Sequence, residues 1–208
     1  MNGKGAFIAF EGIDGSGKST LVRLTYEMLS RRGLQAVRTK EPSSGPIGRF
    51  IRAQIGEMDG RMSAWALALL FAADRLDHAE RLIRPSLERG LIVLSDRYLY
   101  SSLAYQGAEG VSWEWIRELN RLAPKPDLCI LLDVSPETGM RRIGGRPKTI
   151  FENERLQERV RRLYLELVEE GEIIRVDAER PLKEVQRDVN LLVQELLKGR
   201  GIIDSKSQ

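Results

Sequence analysis

Between Gly12 and Ser19 the chain reads GIDGSGKS, with three glycines ahead of a lysine and a hydroxyl. These types at this spacing match G-x-x-x-x-G-K-[ST], and the flanks are the required ones: apolar AFIAF before, helix-forming LVRLTYEMLSRR after. Gly12, Gly15 and Gly17 let backbone amides converge on an anion, and the helix that follows adds its free amides and positive dipole end. Lys18 can follow the β- and γ-phosphates of a nucleoside triphosphate, while Ser19 offers a hydroxyl to the Mg²⁺ that bridges them. Ile13, Asp14, Ser16 and Thr20 complete the nucleotide-holding segment. A mere glycine-rich turn would explain Gly12 or Gly17, but not the lysine, the hydroxyl and the spacing together.

Other phosphate chemistries fit less well. The G-x-G-x-x-G spacing of dinucleotide folds is absent, and where a GTPase would carry N-K-x-D on a late strand the chain has LLDVSPE and IIRVDAE. Larger ATPases need more chain. A small kinase with a small anionic acceptor remains, and the stretch LIVLSDRYLYSSLAYQG, residues 91–107, supplies candidates for the acceptor side. Asp96, at the end of a buried-type strand, can hold a Mg²⁺ water, and Arg97 beside it can fork onto an acceptor phosphate. The competing reading of this pair is a surface ion pair. Phe71 and Arg75 lie four apart on one predicted helix and share a face, a ring and a fork of the kind a base pocket uses. Taken alone, the pair reads more often as core plus surface charge.

The elements that must position these residues follow an alternation of short apolar runs and longer helical-period stretches, the pattern of an α/β fold with a parallel sheet. Strands are predicted at Ala6–Glu11, Gln35–Thr39, Leu91–Ser95, Asp127–Asp133 and Glu172–Val176. Helices are predicted at Lys18–Arg32, Ile47–Gly56, Ser63–Glu88, Ser101–Gln106, Trp113–Ala123, Pro136–Arg142, Glu152–Glu170 and Leu182–Lys198. With 208 residues and 23.6 kDa, residues 1–208 fit one domain. A glycine- and arginine-rich segment at about 141–154 reads as a lid that can move, and about 199–208 as a loosely held tail. The stretch AWALALLFAA, 64–73, is apolar nearly all round, so it belongs in the core or against a second subunit.

Composition narrows the partners. A net charge of +3 suits an anionic ligand, but no dense basic tract or aromatic-interleaved patch accompanies it, so no nucleic acid is expected. No stretch is long enough to span a bilayer, no secretory leader is read at the start, and the single Cys129 excludes an internal disulfide; the expectation is a cytoplasmic protein.

With these residues in hand, the chain resembles the thymidylate kinase family. D-R-[YH]-x-x-S-x-x-A-Y-Q-G is met by Asp96, Arg97, Tyr98, Ser101, Ala104, Tyr105, Gln106 and Gly107. FEGIDGSGKST (10–20), KEPSSGPIG (40–48), LLFAADR (69–75) and RPKTIFENE (146–154) also match, in order, over about three quarters of the chain. The resemblance implies a P-loop NTPase fold, a five-stranded parallel sheet with helices on both faces and an arginine lid. It implies transfer of the ATP γ-phosphate to dTMP with Mg²⁺, for dTTP synthesis, by a homodimer whose interface would involve the helix around Leu67–Leu70.

The resemblance also implies roles residue by residue. Phe71 would stack on thymine, Arg75 would read its carbonyl edge, and Ser102 and Gln106 would lie near the base. Tyr105 would pack under the sugar and disfavour a ribose 2′-hydroxyl; Asp14 would lie near the 3′-hydroxyl and the metal; Pro42 would shape the loop under the acceptor. Some relatives carry arginine where this chain has Gly15, so the transition-state cation would come from the lid, Arg146 first and Arg142 second, with Lys148 a third candidate.

Two departures stand out. Ile150 replaces a basic residue of several relatives, and Lys40 replaces an arginine, trading a bidentate contact for a point charge. Arg49 and Arg52, one turn apart, both suit the acceptor phosphate, and spacing does not choose between them. A sister kinase acting on dUMP, UMP or another monophosphate, and a nucleotide-binding protein without turnover, are the alternative readings.

Overall fold

A computed structural model describes residues 5–56, 62–144 and 154–204. The chain runs β1 (Ala6–Glu11), α1 (Lys18–Arg31), β2 (Ala36–Lys40), α2 (Pro46–Gly56), α3 (Ala64–His78), a π-helical turn (Ala79–Ile83) and α4 (Arg84–Glu88). It continues with β3 (Ile92–Asp96), α5 (Leu99–Ala108), α6 (Trp113–Leu119), β4 (Leu128–Asp133), α7 (Pro136–Ile143), α8 (Glu154–Glu169), β5 (Ile174–Asp177) and α9 (Leu182–Gly199). Each predicted strand is present, β1 at the predicted bounds and the other four starting one or two residues later.

The long helix expected over 63–88 is continuous but irregular. Its π-helical turn lies just before Pro85, whose missing N–H and bulky ring disturb the regular ladder. The helix expected at Trp113–Ala123 stops at Leu119, where Asn120 and the following turns take over. Ser63, Ser112 and Ser135 cap α3, α6 and α7 by accepting from the backbone N–H three residues on.

All strand pairs are parallel and the order is β2-β3-β1-β4-β5. Every residue of β1 and of β4 is buried, as central strands covered on both faces must be. α1 and α9 pack together over the sheet, while α5 packs on α8. The chain leaves β1 to one side and later returns past it to the other, so β1 is the switch point, and a crevice opens beyond the carboxyl ends of its neighbours. Register brings those ends level: Asp96 of β3 pairs with Phe10 of β1 and with Lys40 of β2.

Two buried carboxylates fasten helices to the strand ends. Glu11, fully buried, accepts from the Tyr98 N–H at 2.8 Å, the Ser101 N–H at 3.2 Å, the Ser101 hydroxyl at 2.6 Å and the Tyr164 hydroxyl at 2.9 Å. Burial raises its pKa, although the Ser101 hydroxyl, the Arg97 charge and the other donors pull the other way. Asp133 binds Arg161 from α8 (2.7 Å) and Arg175 from β5 (2.8 Å), a clamp at the far side of the sheet.

Removing one of the Glu11 donors tests this anchoring. Tyr164→Phe should cost about 1.5 kcal/mol of unfolding free energy, the worth of one buried hydrogen bond to a charged group, with an unchanged denaturant m-value. Urea titration checks it, and a loss below a few tenths of a kcal/mol would count against an anchored Glu11.

Candidate functional site

A cavity of about 760 Å³ lies at this switch point. The glycine loop contributes Asp14, Gly15, Gly17, Lys18, Ser19 and Thr20; β2 and its exit contribute Lys40, Glu41 and Pro42; α2 contributes Arg52 and Ile55. The end of β3 supplies Asp96 and Arg97, and the end of α7 supplies Arg142 and Ile143. Among the described residues, five cationic side chains thus face three carboxylates, a balance that favours a polyanionic ligand.

The loop takes its shape from conformations open to glycine: φ is 142° at Gly12, 78° at Gly15 and 98° at Gly17. Gly15 also meets α7 without any side chain between. A Cβ there would lie 2.1 Å from the Gly139 carbonyl oxygen, and a Cβ on Gly139 would lie 2.5 Å from the Asp14 carbonyl oxygen. An arginine at position 15 would therefore require α7 to move away.

Lys18 folds back over the loop. Its ammonium donates to the carbonyls of Gly12 (3.0 Å) and Ile13 (2.8 Å) and to the Ser16 hydroxyl (3.3 Å), which uses all three hydrogens. Burial, followed by the positive charge of Arg97, lowers its pKa to about 8. The Ser19 hydroxyl donates to the Asp96 carboxylate, so the two groups expected to hold a metal touch directly. Two hard oxygen donors beside a phosphate loop suit Mg²⁺, which takes few protein ligands and completes its shell with water and phosphate. No group of three or more His, Cys, Asp or Glu side chains is gathered for a metal among the described residues.

Arg97 joins the loop to α5. Its Nη1 donates to the Gly12 carbonyl (3.0 Å) and the Ser101 hydroxyl (3.1 Å), its Nη2 to Asp14 Oδ1 (2.6 Å) and the Tyr105 hydroxyl (3.2 Å), and its Cζ lies 5.0 Å from the Tyr105 ring centroid. Burial pushes the Asp14 pKa up, but the charges of Arg97 and Lys18 outweigh it, and the net shift is downward. Asp14 is thus held as a carboxylate beside a cation.

The expected base pocket is only partly confluent with this cavity. Among the described residues, the cavity lining includes Pro42 and Arg97 but not Phe71, Arg75, Ser102, Tyr105 or Gln106. Arg75 is 1% exposed and already engaged: Nε donates to Glu41 (2.9 Å), Nη1 to Asn120 (2.7 Å), and Nη2 to the Tyr98 carbonyl (3.0 Å) and Ser102 (3.1 Å). Instead of a free fork on a surface, it is a fixed one inside a network. Phe71 is half-buried against the core, and Ser102 and Gln106 are buried on α5 near the same layer. Of the two arginines on α2, Arg52 lines the cavity and donates to the carbonyls of Pro42 (2.7 Å) and Ser43 (2.6 Å). Arg49 turns to the Ser44 carbonyl.

Arg142 reaches the cavity rim and donates to the Ala178 carbonyl at 3.1 Å. Arg146, Lys148 and Ile150, with most of the lid, lie outside the described residues. Sequence reasoning missed Gln157: its amide accepts from the Asp14 N–H (3.3 Å) and donates to Asp14 Oδ2 (3.4 Å). The signal was a polar residue within the buried stripe Gln157, Val160, Tyr164 and Leu167 of α8.

A family model, thymidylate kinase, matches residues 10–189. A protein of Thermococcus gammatolerans named probable thymidylate kinase is 47% identical over 206 residues, covering 94% of this chain and 99% of its own length. Proteins of the same name from Thermococcus onnurineus (48% identical; 92% and 99% covered) and Pyrobaculum aerophilum (46%; 93% and 98%) agree.

The lysine offers a test of the site's electrostatics. In the free protein Lys18 should titrate near pH 8, and a bound polyphosphate should raise that value by stabilising the ammonium. ADP binding at pH 8.5 should therefore take up protons, seen as a dependence of the calorimetric enthalpy on buffer ionisation heat. Because the unfolded lysine holds its proton more tightly, the free fold should also gain stability as pH rises from about 8 towards 10.5. Buffer-independent binding heat would overturn the assignment.

Proposed function

The chain belongs to the thymidylate kinase family, and from that premise we infer that it transfers the γ-phosphate of ATP to dTMP, giving ADP and dTDP for dTTP synthesis. The observation that carries the reading is the contact of the glycine loop with the strand-end arginine, Asp14 to Arg97 at 2.6 Å, because it joins the loop that would hold the donor to the cation that would hold the acceptor phosphate. We read 1–208 as one kinase domain, with 141–154 as its lid and 199–208 as its tail.

An oxygen of the dTMP phosphate attacks the γ-phosphorus as the bond to the β-phosphate oxygen breaks, so ADP leaves and no covalent enzyme intermediate is needed. What the protein must do is align two nucleotides, neutralise charge and exclude water. Lys18 exchanges the loop carbonyls for phosphate oxygens, and the amides of residues 12–20 cradle the donor. Arg97 and Arg52 hold the acceptor phosphate, with Lys40 as a further point charge. Arg142, and Arg146 from the lid, supply the cation that Gly15 cannot. Ser19 and Asp96 would hold Mg²⁺, which when bound neutralises charge on the β- and γ-phosphates. Asp14 and Tyr105 face the acceptor sugar; Phe71, Arg75, Ser102 and Gln106 form the base pocket, with Pro42 shaping its entrance.

A homodimer belongs to the same reading. Along α3, Trp65, Leu69, Ala73 and Leu76 form one exposed apolar stripe, whereas Leu67 turns into the core. Trp65 stacks edge-on with Trp115 at 5.1 Å, which widens the face. Such a stripe is costly in water and suits a second copy of the chain. Among the described residues no helix is long and apolar enough to cross a membrane, and a cytoplasmic location is part of the proposal.

Two measurements test it. In a coupled assay of ADP release from Mg²⁺-ATP, dTMP should turn over faster than dUMP, UMP, dCMP or dGMP; Arg97→Ala should cut the dTMP rate at least about a hundredfold, and EDTA should abolish it. No acceptor-dependent turnover despite ATP binding would sink the kinase reading. In sedimentation, the protein should run at twice 23.6 kDa, and Leu69→Glu should halve that mass.

A further inference from the structure

His78 is the chain's only histidine, and it sits one turn beyond Arg75 on α3. It is 5% exposed and bonded at both nitrogens: Nδ1 lies 3.1 Å from Glu41 Oε1, and Nε2 lies 2.6 Å from the Thr39 hydroxyl. The other oxygen of Glu41 takes Arg75, at 2.9 Å from Nε and 2.8 Å from Nη2. Asp74, on the same helical face, accepts from the Ser43 N–H (2.7 Å) and the Ser43 hydroxyl (2.6 Å). Three side chains of α3 therefore grip the segment Thr39 to Ser43, which carries Glu41 and Pro42 into the cavity wall.

A carboxylate oxygen offers the imidazole an acceptor, so Nδ1–H is placed to donate to Glu41 Oε1 while Nε2 meets the Thr39 hydroxyl. We propose that His78 is a positioning residue for the acceptor pocket, fixing Glu41 in the orientation that holds Arg75 toward the nucleobase. The proposal rests on the reading of Arg75 as the residue that meets the base. Phosphoryl transfer itself does not call on the imidazole, so its removal should act on acceptor recognition and leave the chemical step.

Among the described residues the glutamate has two side-chain partners, one on each oxygen. Without the Nδ1 donor, Oε1 keeps no side-chain partner among them and the carboxylate can rotate, taking Arg75 from the place defined by Ser102, Asn120 and the Tyr98 carbonyl. Discrimination between bases then weakens as well as affinity.

The full-length protein carries the test. In ¹⁵N-labelled wild type the single histidine should show a proton on Nδ1, and dTMP should shift its ring signals saturably. His78→Leu should raise the KM for dTMP about tenfold, the loss expected for one hydrogen bond to a charged group. The KM for ATP and kcat should stay within about twofold, because only the acceptor pocket is disturbed. His78→Asn, which can keep a donor near the Nδ1 position, should recover most of the affinity. Arg75→Lys separates the two layers: an unchanged dTMP KM in that variant overturns the base-pocket reading. A raised KM in Arg75→Lys with none in His78→Leu overturns the positioning role alone. An Nε2–H tautomer, or an imidazole unmoved by dTMP, overturns it even if His78→Leu fails to fold.

Discussion

The site depends on one guanidinium and the backbone that carries it. Arg97 is the only non-glycine residue with positive φ (71°) among the described residues, a conformation that costs an L-residue about 1–2 kcal/mol. The surroundings hold it there: its N–H donates to the Phe10 carbonyl at 2.9 Å, its side chain to Gly12, Asp14, Ser101 and Tyr105, and its ring contact lies on Tyr105. Through this residue the end of β1, the glycine loop, the end of β3 and α5 become one object. The strain is local, and the contacts that sustain it are those the cavity needs.

Beneath Arg97 lies Glu11, and beside Asp14 lies Gln157, so α8 enters the site twice, through Tyr164 and through Gln157. Both are buried polar groups fully committed to partners, where an unpaired one would be costly. On the other side Glu41 plays the matching part for α3. The architecture is thus a sheet edge whose carboxylates, each set at a strand end, collect helices around a cationic cavity. Of the cations in the cavity wall, Lys18, Arg52, Arg97 and Arg142 donate to backbone carbonyls, and Arg97 to a carboxylate as well.

What was legible in the sequence was local chemistry. The glycine loop announces itself because its glycines, lysine and serine lie within eight residues, and the strands do because central positions are apolar without interruption. Long-range partners were not legible. Glu11 reads as the polar end of an apolar strand, and nothing nearby points to Tyr164, 153 residues away. Arg75 reads as a free fork because sequence cannot show that Glu41, Asn120 and Ser102 already occupy it. Spacing left Arg49 and Arg52 equivalent, and only the loop carbonyls of Pro42 and Ser43 tell them apart. The π turn before Pro85 is absent from the sequence reading, which gives a single helix over Ser63–Glu88.

The bare contact of Gly15 with Gly139 bears on how such an enzyme can diverge. Each glycine is required by the other's backbone, so drift at either position is blocked unless the helix shifts first. If the lid supplies the cation, as proposed, a lineage with this packing does not move it into the loop by a change at position 15 alone, since the new Cβ would collide with the Gly139 carbonyl. Two absent side chains that face one another thus bar this loop from carrying the charge itself.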